Sequence, residues 1–306
     1  MRRALLAAAL VLAVAPAPAR AGAKPFYELD EKHVAKELKK IHARNPNLPQ
    51  RIGAVSERFL GTTYKLGPLG EGDDGEFDRD PLYRFDAVDC TTFVEEVMAL
   101  SLKPDLKDAL ATLQKIRYAD GKVGYATRNH FTEADWVPRN VWAGYLRDIT
   151  REVAGDKTAE VSKTVSKKQW YLHMSTANIE GRFTPSERAK RLPALQALGS
   201  EMPDARAQLD ILPMDALAES LPRIPTGTIA NLVREPQPDK DTMVSHQVLL
   251  IRKNGQTFVR HAASGKTVLD VPALEYFYKY YNSRWRLVGL NLNEIRDPKR
   301  SEAPKP

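Results

Sequence analysis

The sequence predicts an α+β protein in which helices pack on one face of an antiparallel β-sheet. Three observations carry this. Helix-periodic stretches fill the first part of the chain, five short β-type runs fill the last quarter, and an Asn-Gly pair joins two of those runs. The hydrophobic fraction of 42% is that of a globular protein.

The first residues, "MRRALLAAALVLAVAPAPARAGA", have the form of a secretory signal peptide. Arg2 and Arg3 precede a short apolar run, and "ARA" ending at Ala21 is a small-x-small cleavage site. The run is shorter than the roughly 20 apolar residues of a bilayer span, so residues 1–21 are expected to be a cleaved leader and no stable membrane span is expected. The protein is therefore expected to be exported, periplasmic or extracellular. Net charge is +7; Arg2, Arg3 and Arg20 supply three of those charges, leaving +4 on the remainder. That suits an anionic envelope polymer and is too weak to argue for nucleic acid.

Two helices are expected next, over "YELDEKHVAKELKKIHAR" and "QRIGAVSERFLG". "TTYKLGPLGEGDDGEFDRDPLYRFDAV" is rich in Gly, Asp and Pro and reads as a loop. Phe93, Val94, Val97, Met98 and Ser101 recur at helical spacing, so "CTTFVEEVMAL" is expected to be an amphipathic helix with one apolar face. "KDALATLQKIRYADG" is another helix, stopped at Gly121. Residues of about 155–222 are charged and Pro-punctuated, and read as a helical elaboration of a single domain spanning 22–295. The strand runs are "TGTIANLVR", "SHQVLLIRK", "QTFVRHAAS", "KTVLDV" and "RWRLVGLNL", and Asn254-Gly255 makes a hairpin of the second and third. Residues 296–306 are expected to be a disordered tail.

Cys90 is the only cysteine, so an exported chain can form no internal disulfide with it. It stands where a loop hands over to a helix, and the free N–H groups of a helix start stabilise a thiolate and an oxyanion. A cysteine nucleophile also needs a base and a group to orient it. The predicted hairpin brings His246 and His261 side by side near one end of the sheet. His33 and His42 lie on a charged helix and are expected to have no role. No HxxxH or CxxC spacing supplies a closed zinc site, so no metal or other cofactor is expected.

"FLGTTYKLGPLG", "DC" opening a helix, "PTGTIANLV", "SHQVLLI" and "FVRHAAS" together resemble the NlpC-type papain-like cell-wall hydrolases. "DCTTFVEEVMAL", "IRYADG", "RNHFTEADWVPRN" and "RHAAS" are most similar to their N-acetylmuramoyl-L-alanine amidase-like branch. The likeness covers most of residues 55–292. It implies a papain-like α+β fold with Cys90 as nucleophile, His246 as general base and His261 as its orienting residue. It further implies that Tyr64 faces the thiolate, that Asp89 lines the substrate site, and that Arg128, His130, Asp135, Trp136 and Asn140 shape a sugar or peptide pocket. Asp89 also reads as a helix N-cap, Trp136 as a core residue and Asp135 as structural. The implied partner is peptidoglycan or a muropeptide, the implied state a monomer, and the implied cut the amide between N-acetylmuramic acid and L-alanine. Cleavage after γ-D-glutamate in the stem peptide, a wall-binding module without catalysis, and a metal-dependent amidase are the alternatives. The chain departs from the pattern where the glycine of HVGI is replaced in "HQVLL" and where PGD becomes "PTGT".

Overall fold

The computed structural model describes residues 23–298; the expected leader and the residues beyond Pro298 lie outside the described residues. Helix α1 (Glu31–Arg44) is capped by Asp30, which accepts from His33 N, and buries Val34, Leu38 and Ile41 along one stripe. Helix α2 (Leu48–Glu57) starts with Pro49 in its first turn. The predicted loop follows, bracketed by the short parallel strands β1 (Thr63–Tyr64) and β2 (Ala87–Val88). Gly70 is required there, because a Cβ would stand 2.2 Å from Asp78 Oδ1.

Helices α3 (Cys90–Leu102) and α4 (Leu106–Arg117) pack on each other. Every residue of α3 from Thr92 to Leu102 is buried, Glu95 and Glu96 included, so the expected amphipathic helix is a central one covered on all sides. After it come α5 (Val137–Trp142), β3 (Leu146–Asp148), α6 (Thr150–Ala154), β4 (Ala159–Val165), α7 (Lys167–Leu172), α8 (Pro185–Ala197), β5 (Ala205–Pro213) and α9 (Leu217–Ser220). The C-terminal part holds β6 (Thr228–Arg234), β7 (Val244–Lys253), β8 (Gln256–Ala262), β9 (Val268–Pro272), α10 (Ala273–Tyr281) and β10 (Leu287–Ile295).

The eight-stranded sheet has the order β4-β5-β10-β6-β7-β8-β9, with β3 also on β10, and all of its pairings are antiparallel. The β7–β8 turn is the predicted one: Asn254 and Gly255 have φ of 48° and 80°, and Lys253 pairs with Gln256. Two expectations are corrected. The 155–222 segment is not all helical, because β4 and β5 lie in it and extend the sheet through β10. The helices are not confined to one face. Ile229, Leu249 and Ile251 pack with Val94, Val97 and Met98 of α3, while Ala230, Val248, Leu250 and Val259 pack with Phe277 of α10 and Val153 of α6. Runs such as "VLLI", apolar at successive positions rather than alternate ones, are what two covered faces require. At the far end Arg296 N–H donates to Tyr145 O. Among the described residues no helix is long and apolar enough to cross a membrane.

Candidate active site

Asp89 builds the start of α3. Its Oδ1 accepts from Thr92 N (2.8 Å), and Thr92 Oγ1 accepts from Asp89 N (2.9 Å), a reciprocal capping box. Its Oδ2 accepts from Gly67 N (3.0 Å) and so ties the glycine-rich loop to the helix start. Both oxygens are occupied by the backbone, and the residue is only 9% exposed. The structure thus gives Asp89 the capping task; it is not among the residues that wall the Cys90 cavity.

Cys90 is the first residue of the helix, with the backbone N–H groups of Thr91 and Gln247 directed at its sulfur. Burial and the neighbouring Asp89 carboxylate nevertheless push the thiol up to about 11. The two N–H groups act in the expected direction, lowering the thiol, but by less than burial raises it. The positive helix end and the two N–H groups are outweighed by desolvation, so the helix positions a neutral thiol.

His246 Nε2 and His261 Nδ1 are 2.9 Å apart. The β7–β8 register brings them together: Leu249 faces Arg260, so Val248 falls opposite His261, and His246 lies two residues further along the same face. Burial, with His261 and Arg234 adding to it, pushes His246 down to about 3. Burial likewise lowers His261 to about 4, against the opposing pull of Asp270. Both imidazoles are therefore neutral at neutral pH. The phenol of Tyr276, on α10, lies 3.5 Å from the same His261 Nδ1.

Cys90 and His246 wall one cavity of about 440 Å³, together with His130, Phe131, Trp170 and Trp285. No hydrogen bond joins Cys90 Sγ to either imidazole among the described residues; its polar side-chain neighbour is Thr91 Oγ1 at 3.9 Å. Tyr64 is half-buried beside Cys90 and Asp89; burial, with the Asp89 carboxylate adding to it, raises its phenol, and Ser264 hydrogen-bonds it. His130 is held by Nε2 donating to Tyr125 O (2.8 Å) and by the rings of Tyr125 and Trp170, each with its centroid 4.7 Å away. Burial, followed by the Arg128 charge, keeps it well below the usual histidine range.

Four other candidates fall outside this cavity. Arg128 is ion-paired with Glu71 and with Asp78 (2.8 Å), so its charge is already matched. Trp136 is fully buried and donates Nε1–H to Glu95 Oε1 (2.9 Å). Glu95 also receives Arg117 Nη1 (2.9 Å), so the indole braces the underside of α3. Asn140 is buried and donates to the carbonyls of Ile116 and Trp136. Asp135 pairs with Lys167. The segment that carries the family likeness is largely scaffold, and only His130 of its named residues reaches the cleft. His42 also gains a structural task, with Nε2 donating to Leu100 O (2.8 Å) and so fastening α1 to α3.

The sequence reading missed Trp170, Trp285, Tyr276 and Arg234. Trp170 and Trp285 are two of only four tryptophans, which is a weak signal. "EYFYKYY" around Tyr276 is an aromatic stripe with no partner evident before folding. Nothing local singles out Arg234.

A thiol at a helix start beside coupled imidazoles on an antiparallel sheet is a constellation of hydrolase type. The chain belongs to the AmiA-like, N-acetylmuramoyl-L-alanine amidase-like family, whose model matches residues 54–282. A crystal structure of a Legionella pneumophila protein of family DUF1460 is 30% identical with a TM-score of 0.79, over 87% of this chain and 95% of that one. An N-acetylmuramoyl-L-alanine amidase from Bacteroides uniformis is 22% identical with a TM-score of 0.60, over 81% of this chain and 99% of that one, a likeness of fold. A Bacteroides fragilis structure described as a putative xylanase is 27% identical with a TM-score of 0.58, over 78% and 98% of the two chains. A comparison with curated proteins finds no match.

Proposed function

We propose that the protein is an exported cysteine amide hydrolase of papain-like, NlpC-type architecture that cleaves the amide between N-acetylmuramic acid and L-alanine in peptidoglycan fragments. The observation that supports it most is the 2.9 Å His246–His261 contact on the wall of the cavity that holds Cys90. Family membership supplies the substrate class.

This reading implies a definite proton inventory. His246 Nε2 is turned to His261, so Nδ1 is the nitrogen left for the thiol. For Nδ1 to accept a proton, Nε2 must carry one and donate it in a hydrogen bond to His261 Nδ1. Cys90 Sγ attacks the lactyl carbonyl carbon as its proton passes to His246 Nδ1. The carbonyl oxygen becomes an oxyanion next to the N–H of Cys90 and the Tyr64 phenol. Collapse breaks the C–N bond, and the alanine amine leaves with the proton from Nδ1. Water then attacks the thioester, with Nδ1 taking its proton and returning one to sulfur. Because the resting pair is neutral, closure of Sγ on Nδ1 accompanies substrate binding.

Trp170 and Trp285 suit a saccharide, whose C–H faces pack on indole. The endopeptidase alternative needs Asp89 to read a free amine, and both Asp89 oxygens are occupied. A glycosidase reading needs a carboxylic acid poised to protonate a glycosidic oxygen. Asp239, in the same cavity, is instead held low by Lys240. Mass spectrometry of a digested disaccharide-tetrapeptide is the test. Intact tetrapeptide beginning with L-Ala plus free disaccharide is expected; L-Ala-D-Glu as product establishes the endopeptidase instead. Iodoacetamide is expected to inactivate the enzyme, and EDTA is not.

A further inference from the structure

Four arginines are buried among the described residues: Arg58, Arg117, Arg234 and Arg260. Three have a carboxylate partner, Glu37 for Arg58, Glu95 for Arg117 and Asp270 for Arg260. Arg234, 8% exposed, makes no ion pair among the described residues. Burying an unmatched charge is costly, so the rest of the fold follows the rule and Arg234 breaks it.

Its guanidinium is nevertheless fixed in place. Nε donates to Ser245 Oγ (2.8 Å), and Nη1 donates to Ser283 Oγ (2.9 Å) and Trp285 O (2.7 Å). The rings of Tyr280 and Trp285 lie 5.3 Å and 5.8 Å from its central carbon. Nη2 makes no hydrogen bond among the described residues, so one end of a rigid fork is open. Arg234 lines a second cavity, of about 540 Å³, walled also by His246, His261 and Tyr276. Lys266 and Lys279 stand exposed at its rim and Glu275 is its one carboxylate, so cations prevail. Ser245 and His246 belong to both this cavity and the one holding Cys90. The cleft therefore has two lobes that meet at His246. One is aromatic and contains the thiol; the other is cationic.

We propose that the cationic lobe is the subsite for the first free carboxylate of the stem peptide, the α-carboxylate of the D-glutamyl residue after L-alanine, with Arg234 as its anchor. This rests on the amidase reading above. The amide nitrogen leaves on the peptide side, the glutamyl carboxylate is the nearest anion on that side, and Nη2 offers it a charge-assisted hydrogen bond. Arg128, which the sequence offers for this task, is excluded by its own two carboxylates.

The test compares muramoyl-L-alanyl-D-glutamate with muramoyl-L-alanyl-D-isoglutamine, which differ only by carboxylate against carboxamide at that carbon. The wild type is expected to prefer the acid in kcat/KM by about 10- to 100-fold. Arg234→Gln is expected to bring the ratio towards one by slowing the acid more than the amide, with Arg234→Lys between. Equal rates for acid and amide in the wild type overturn the proposal, as does an unchanged ratio in Arg234→Gln that melts like the wild type. The wild-type ratio decides by itself if Arg234→Gln does not fold. If neither compound is cleaved, the amidase reading fails, and calorimetry of Cys90→Ala with L-alanyl-D-glutamate and its α-amide decides the subsite. Preference for the acid supports it, and equal binding overturns it.

Discussion

Arg128 and Arg234 both look like ligand-binding arginines, one by its place in a motif and the other by its place in a cavity. Arg128 sits between Glu71 and Asp78, two acids of the loop that leads into α3. Arg234 sits among hydroxyls, carbonyls and aromatic rings, with no carboxylate paired to it among the described residues. The same contrast divides the molecule. Beneath α3, charges are matched within the chain, as in the Trp136–Glu95–Arg117 chain of contacts. At the cleft the polar groups are left with unused valence: a neutral thiol, an imidazole with one free nitrogen, and a guanidinium with one free arm. Matched groups stabilise the fold; unmatched ones await a substrate.

Four experiments break or sharpen that division. The largest effect is expected from Cys90→Ala and His246→Ala, which should lower kcat by four orders of magnitude or more, about what loss of a nucleophile or base costs, while leaving the melting temperature nearly unchanged. Retained activity in His246→Ala gives the base to another group. Next, Arg117→Ala and Arg128→Gln should each destabilise by about 3 kcal/mol, because each strands a buried carboxylate. Arg234→Gln should cost about 1 kcal/mol, since it loses hydrogen bonds and ring contacts but strands no carboxylate. Chemical denaturation measures all three, and a larger loss in Arg234→Gln than in Arg128→Gln inverts the comparison.

Third, the neutral thiol predicts that alkylation of the empty enzyme by iodoacetamide accelerates as pH rises towards about 11. A rate already flat from mildly acidic pH shows a preformed thiolate–imidazolium pair. Smallest is a stability effect of the histidine pair. Their folded pKa values, about 3 and 4, lie below the ordinary value near 6.5. Their contribution is therefore full above pH 6.5 and is lost as pH falls towards 4, because the unfolded chain takes up protons first. Thermal melts of wild type and His261→Asn should converge, or cross in favour of the variant, between pH 7 and pH 4.5.

The C-terminal strands were legible because their signals are local. "KNGQ" dictates a hairpin, and that hairpin fixes His246 against His261 with no help from the rest of the chain. Asp89 followed by Thr92 marks the helix start at Cys90 just as locally. Strands β4 and β5 were hidden because their residues alternate charge with small apolar side chains in a stretch dense with helix formers. Only distant partners give β5 a buried side: Ala207, Leu209 and Ile211 pack with Phe131, Val165, Val233 and Met243. Trp136 and Asn140 misled because an indole and an amide suit a sugar pocket and a helix brace equally well.

The sequence by itself determined the place of Cys90 at a helix start, that helix, the imidazole pair and the antiparallel meander, since each depends on contacts within a few residues or across one tight turn. The tertiary structure alone decided which polar groups remain free. Arg128 meets Glu71 across 57 residues and Asp78 across 50, while Arg234 pairs with no acid among the described residues, and that difference is a sum over long-range neighbours that no local pattern records. Charge matching is a property of packed space, so the fold had to form before one arginine became a strut and the other an open site.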